Sequence, residues 1–139
     1  MLDTNVVISA LINPQGSPGK ILDAGIDEKI SLLYSEHLAG ELKRSIAYPH
    51  VSARIAESLT KEELQQFLFS LRDVAILIQH DPPYKQWVPS DPDDDWVIAC
   101  AIAGNADYVV SGDQHLLTLG RVDSIRIVSP IEFLKILRD

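Results

Sequence analysis

The amino-acid sequence predicts an α/β fold with a mostly parallel sheet of four to five strands. Short apolar runs alternate along the chain with amphipathic stretches of helical period, and this alternation is typical of helices packed on a parallel sheet. Hydrophobic residues make up 46% and charged residues 23% of the 139 residues, a composition that excludes a disordered chain. The length suits one domain, residues 1–139, with a core of its own.

The predicted strands are short, apolar and bounded by polar residues. They cover residues 1–2, 30–34, 74–78, 108–110 and 125–128. Asp3 directly follows the first strand, and the chain from there toward Ile12 is expected to be a loop. Residues 80–91 contain three prolines and have neither helical nor strand period, so they are also predicted to form a loop.

Two helix starts are marked by capping boxes, in which a hydroxyl residue is followed three residues later by glutamate. Thr60 with Glu63 and Ser129 with Glu132 fit this pattern, and Pro130 suits the first helical position. Further helices are predicted over residues 18–27, 36–47, 52–59, 93–103 and 114–119.

Composition excludes several classes of protein. No apolar run reaches the roughly 18 residues of a membrane span, and the N-terminus lacks the layout of a signal peptide, so a cytoplasmic location without a membrane partner is expected. The one cysteine, Cys100, permits no internal disulfide and no thiol cluster for zinc. Twelve Lys and Arg against twenty Asp and Glu give a net charge of −8, so an anionic substrate would need bound cations.

Two predicted strands end in aspartate. Asp3 ends the first, and Asp113 follows residues 108–110 after a turn that contains Ser111 and Gly112. Because ligands in open α/β sheets bind at the carboxyl ends of strands, both aspartates are candidates for a binding site. Asp3 also suits an Asx-type turn, and the Ser111 hydroxyl suits either a neighbouring carboxylate or its own backbone.

The other acidic candidates lie on helices. Glu41 borders the apolar stripe of the helix over residues 36–47, although a solvated position or an ion pair with Lys43 or Arg44 would also explain it. The run Asp93 to Asp95 follows Asp91 and Pro92, which suit the cap and first position of a helix. Three successive aspartates exceed what capping needs, and their repulsion favours a cation among them.

If these acids meet at one edge of the sheet, they form an oxygen-rich site for Mg²⁺ or Mn²⁺. Such a site supports attack of a metal-activated water on a phosphodiester, without a side-chain nucleophile. The histidines show no metal-ligand spacing, so surface or turn roles are expected for all of them. They are His37, His50, His80 and His115.

Four segments, taken in order and spacing, resemble the PIN-domain family, most closely the VapC-like toxin branch of prokaryotic toxin–antitoxin systems. They are Leu2-Asp3-Thr4-Asn5, the helix of Glu41, Asp91-Pro92-Asp93-Asp94 and residues 111–117. The resemblance implies a three-layer α/β/α sandwich and a Mg²⁺- or Mn²⁺-dependent ribonuclease, often a homodimer that a small antitoxin protein inhibits. The first strand, with two residues before Asp3, is shorter than the family's usual one.

The resemblance also implies roles for individual residues. The catalytic and metal-binding residues would be Asp3, Glu41, Asp94 and Asp113. The supporting residues would be Asn5, Ser111, Asp93 and Asp95. Lys43 and Arg44 neighbour Glu41 on its helix and are candidates for contacting RNA, although ordinary solvated charges explain them equally well.

Two other functions stay open. A housekeeping nuclease for RNA maturation or DNA repair would keep the same four acids, so the sequence does not separate it from a toxin. A catalytically silent binding module would lack one of the acids, and none is missing.

Overall fold

The computed structural model describes residues 1–138 and confirms the α/β class. The helices are α1 (Thr4–Ile12), α2 (Ser17–Ile26), α3 (Glu36–Ala47), α4 (Pro49–Ala56), α5 (Lys61–Val74), α6 (Pro92–Ala103), α7 (Gln114–Leu119) and α8 (Pro130–Arg138). The strands are β1 (Leu33–Tyr34), β2 (Ile76–Leu77), β3 (Tyr108–Val110), β4 (Arg121–Val122) and β5 (Ile125–Val128).

The strands pair mostly in parallel, but they form two small hydrogen-bonded groups where the sequence suggests one sheet of four to five strands. β3 pairs in parallel with β5, β4 adds to β5 in antiparallel orientation, and β1 pairs in parallel with β2. Leu2 makes a single parallel bridge with Val110 and so extends the β3 group. One bridging residue and two-residue strands offer too few backbone groups to join both groups into one ladder.

Side chains of the strands point alternately into two hydrophobic cores. Val110 and Val128 pack in the first core with buried residues of α1, α2 and α8. Val109 and Ile127 pack in the second core with buried residues of α6 and α7. Because successive residues of a strand point to opposite faces, helices cover both faces of the sheet. The three-layer sandwich is confirmed.

The segment after Asp3 is a helix, α1, so the expected loop toward Ile12 is wrong. The Asp3 side chain makes no capping bond to α1, because its carboxylate bonds to Ser111 instead. Burial of an apolar face therefore stabilises α1, and capping contributes little. The buried apolar residues of that face are Val6, Val7, Ala10 and Leu11.

The other predicted helices are present, with bounds within three residues of the prediction. Both capping boxes form with reciprocal hydrogen bonds, and residues 80–91 are the predicted loop. The largest shift is in α4, which occupies Pro49–Ala56 where residues 52–59 were predicted, because Pro49 stands in its first turn. Among residues 1–138, no helix combines the length and apolar character needed to cross a membrane.

Gly19 of α2 gives a direct test of this packing. A Cβ at Gly19 would collide with the backbone carbonyl of Pro14, in the turn that leads into α2. We expect Gly19→Ala to lower the free energy of unfolding by about 1–3 kcal/mol, despite the higher helix propensity of alanine. Urea denaturation measures the change. In the control variant Gly40→Ala, the new Cβ meets only the flexible end of Arg44, at 3.3 Å, and equal losses in both variants would contradict the prediction.

Candidate metal centre

Asp3 lies where the chain leaves the sheet and enters α1. Its carboxylate is buried, and Oδ2 accepts hydrogen bonds from the Ser111 hydroxyl at 2.7 Å and from Asn5 Nδ2 at 3.1 Å. Asn5 Oδ1 in turn accepts from the backbone N–H of Gly112 at 3.4 Å. Two residues predicted to have supporting roles therefore hold Asp3 in one orientation.

Ser111 connects the two aspartates that follow strands. Its hydroxyl donates to Asp3 and accepts from the backbone N–H of Asp113 at 2.9 Å. Asp113 caps α7, since its Oδ1 accepts from the backbone N–H of His115 at 2.8 Å. Asp3 and Asp113 thus lie on either side of one buried serine.

The aspartates of the Asp93 to Asp95 run point in three directions, because successive residues of a helix are about 100° apart. Asp93 is exposed and faces His37, with Oδ1 3.9 Å from the histidine Nε2. Asp94 is buried, only 5% exposed. Asp95 is also buried, and its Oδ1 accepts from the backbone N–H of Val88 at 2.9 Å, so it anchors the loop before α6.

Two groups of side chains bring possible metal ligands together, with the ligand atoms of each group within 4.8 Å of one another. The first group, called here the aspartate group, comprises Asp91, Asp94, Asp113 and His115. The second, called here the histidine group, comprises His37, Glu41 and Asp93. The four acids predicted to hold metal are therefore distributed: Asp94 and Asp113 in one group, Glu41 in the other, and Asp3 beside Asp113 through Ser111.

Asp94 has the most strongly raised pKa of the aspartate group. Burial, followed by the charges of Asp3, Asp113 and Asp91, raises the pKa of Asp94 to about 8. Within the described part of the chain, Asp94 Oδ2 is buried and has no hydrogen-bond partner. A carboxylate in this position is therefore stable only with a proton or a cation beside it.

Glu41 and Asp3 show the same tendency more weakly. Burial raises the pKa of Asp3, although the hydrogen bond from Ser111 opposes the rise. Burial and the charges of Asp93 and Asp3 raise the pKa of Glu41. Because the charge of Asp3 raises the pKa of both Asp94, in the aspartate group, and Glu41, in the histidine group, the two groups belong to one electronegative region.

These observations fit a divalent cation. Carboxylate oxygens are the preferred ligands of hard cations such as Mg²⁺ and Mn²⁺, and the unpaired Asp94 Oδ2 provides one such oxygen. A bound cation would also offset the burial and the repulsion that raise the pKa of Asp94. Asp91, predicted only as a helix cap, does accept from the Asp93 N–H at 3.2 Å, but it also belongs to the aspartate group.

Surface or turn roles are expected from the sequence for all four histidines, and the structure places two of them, His37 and His115, beside the carboxylates. His37 stands four residues before Glu41, so both side chains share one face of α3. That spacing was the available sequence signal. Burial lowers the pKa of His37, which favours the neutral imidazole that ligates metals.

Lys43 and Arg44 have different surroundings in the structure. Arg44 stands three residues after Glu41, on the same helix face, and its charge acts on both Glu41 and His37. Lys43 lines an apolar cavity of about 420 Å³ between α3 and α5. Of the two, Arg44 is the one beside the carboxylates.

The raised pKa of Asp94 predicts the pH dependence of stability without metal. An acid whose pKa rises from 3.8 to about 8 on folding binds more protons in the folded state, so stability falls as pH rises between these values. We expect the Tm in EDTA to fall from pH 5 to pH 8, and millimolar Mg²⁺ or Mn²⁺ to restore it, most strongly at pH 8. Asp94→Asn should flatten the profile. A wild-type Tm that rises with pH in EDTA would contradict this account.

Comparison with known proteins agrees with this geometry. Residues 1–115 match the PIN domain family, and this range contains every residue of both groups. The chain is also 32% identical over 120 residues to the uncharacterized protein MJ1680 of Methanocaldococcus jannaschii, which covers 86% of this chain and 73% of that protein. No solved structure has significant similarity to the chain. PIN domains are generally metal-dependent nucleases, and this chain belongs to the PIN domain family.

Proposed function

We propose that the protein is a divalent-metal-dependent endoribonuclease that acts as the toxin of a toxin–antitoxin pair. Its cofactor would be Mg²⁺ or Mn²⁺, held by Asp3, Glu41, Asp94 and Asp113. The observation that carries the proposal is the buried Asp94 carboxylate, which has an unpaired oxygen and lies beside Asp113 in a PIN domain.

The chain's own residues would position the reaction without supplying a nucleophile. Ser111 and Asn5 orient Asp3, and the start of α6 holds Asp94 in its first turn. Cys100 is buried, and burial raises its pKa to about 11, so its thiol is unsuited to attack phosphorus. A cation bound among the carboxylates would polarise the phosphate and acidify a water molecule.

The net charge of −8 constrains how RNA approaches. Phosphates are repelled by the carboxylates until cations are bound, so RNA binding would depend on the metal and on a few local cations. Arg44 would act as one of these cations, and the effect of its charge on Glu41 and His37 supports this role.

The surface of α5 supports a protein partner, either a second copy in a homodimer or a small antitoxin. None of the 14 residues of α5 is buried, and Phe69 is 75% exposed. Ile76 and Leu77 of β2, which follows α5, are exposed as well, and a partner protein would cover exposed apolar surface of this kind.

Asp94→Asn is the principal test of catalysis. The amide retains the shape of the side chain but removes the charge that would hold the cation, so we expect RNA cleavage to fall about 100-fold or more. The matched control is Asp73→Asn on exposed α5, which should cleave like wild type. An unchanged circular dichroism spectrum and a Tm in EDTA no lower than wild type would show that Asp94→Asn folds. Full cleavage by a folded Asp94→Asn variant would contradict the proposal.

Growth of a host that expresses the protein separates the toxin from its alternatives. If the protein is a toxin, expression of the wild-type protein arrests growth and expression of the Asp94→Asn variant does not. Cleavage of RNA or DNA in vitro without growth arrest would identify a housekeeping nuclease. Folded wild-type protein that cleaves neither nucleic acid would identify a silent binding module.

Arg44→Ala should weaken RNA binding across sequences and reduce the slope of log affinity against log salt by about 0.7–1. Lys43→Ala is the matched control on the same helix and should leave both quantities near wild type, because Lys43 faces the apolar cavity. Fluorescence anisotropy with labelled RNA measures both, with Ca²⁺ in place of Mg²⁺ to prevent cleavage. Equal effects of the two substitutions would contradict the assignment of Arg44.

A further inference from the structure

We infer that His37, Glu41 and Asp93 form a second cation position, one that prefers a first-row transition ion such as Mn²⁺ to Mg²⁺. This inference rests on the proposed function and deepens it, because it assigns the choice of metal to a histidine.

Two packed helices bring the three side chains together. His37 and Glu41 lie one turn apart on the same face of α3, and Asp93 extends from the first turn of α6. The distance of 3.9 Å between His37 Nε2 and Asp93 Oδ1 is too long for a hydrogen bond. Two ligands of one ion with bonds of about 2.1 Å lie about 3 to 4.2 Å apart, so this distance suits a shared cation.

A second observation concerns the ring of His37. Its Nε2 atom is buried and has no hydrogen-bond partner among residues 1–138, although a buried ring nitrogen normally has one. The ring stacks on Trp96, with centroids 3.8 Å apart and planes at 5°. This stacking holds the unpaired nitrogen on the side of Asp93, where a cation would satisfy it.

Ligand chemistry then distinguishes this position from the aspartate group. Mg²⁺ strongly prefers oxygen ligands and retains water, whereas imidazole nitrogen suits first-row transition ions. The aspartate group contains three carboxylates and an exposed histidine, and the histidine group offers one nitrogen and two carboxylates. One electronegative region would therefore hold two positions of different metal preference.

Pulsed EPR of the Mn²⁺-loaded protein tests the assignment directly, because a nitrogen ligand gives ¹⁴N coupling that carboxylates and water do not. We expect wild type to show this coupling and His37→Gln to lose it. His37→Gln should also weaken Mn²⁺ binding about 10–100-fold in calorimetry and leave Mg²⁺ binding near wild type. Quenching of Trp96 emission by Mn²⁺ should weaken in parallel.

Two further variants locate the nitrogen. His115→Gln removes the histidine of the aspartate group, and the coupling should persist in it. Asp93→Asn leaves His37 in place and removes the carboxylate that faces it at 3.9 Å. This variant should weaken Mn²⁺ binding more than Mg²⁺ binding. Coupling that survives in His37→Gln, or equal losses of Mn²⁺ and Mg²⁺ affinity in that variant, would overturn the inference.

The outcome also separates this inference from the function on which it rests. Wild-type protein that cleaves RNA with Mg²⁺ but shows no ¹⁴N coupling with bound Mn²⁺ would overturn the second position alone. Wild-type protein that binds neither Mg²⁺ nor Mn²⁺ would overturn both.

Discussion

Repulsion among carboxylates that the fold holds close together is the constraint on which the rest of this site depends. Asp94 is buried beside Asp91 and Asp113, and no lysine or arginine among residues 1–138 forms a salt bridge with any of them. Packing of the two cores must offset this repulsion, since the contact of His115 Nδ1 with Asp113 Oδ1, at 3.4 Å, is an ion pair only when the histidine is protonated. The fold is therefore built around a charge that the described chain leaves uncompensated, and an external cation is the simplest partner for it.

The backbone framework explains why the repulsion does not separate the acids. Asp3 follows the bridge to β3, and Asp113 follows β3 itself, so both positions are set by one parallel pairing. Ser111 then joins them through its hydroxyl, and Asp94 is carried by α6, whose apolar residues fill the second core. Moving one acid away would disturb a strand end or a buried helix, and both are held by many small packing contacts.

How much of this could be predicted depended on whether the signal was local. The capping boxes at Thr60 and Ser129 are local, and they form as predicted. Pairing between strands depends on residues far apart in the chain, so the sequence does not indicate it. The isolated bridge of Leu2 with Val110 and the separate hydrogen-bonded pair of β1 and β2 are therefore seen only in the structure. The sequence does not indicate the helix after Asp3, because that helix is stabilised by burial against α2. The Asp3 carboxylate does not cap the helix, since it accepts a hydrogen bond from Ser111. In the site, strand ends and helix starts indicate the acids, whereas the sequence signal for His37 is its four-residue spacing from Glu41.

The same repulsion links metal occupancy to substrate binding under the proposed function. An RNA phosphate that enters the region without cations meets the negative charges of the remaining carboxylates, among them Glu41, and Arg44 is a nearby cation whose charge acts on Glu41. Each bound divalent ion would remove part of this barrier before any chemistry occurs, so affinity for RNA should rise with metal occupancy. A protein with a net charge of −8 would thus bind RNA only in its metal-loaded state, and the carboxylates that hold the cofactor would also exclude the substrate until the cofactor is present.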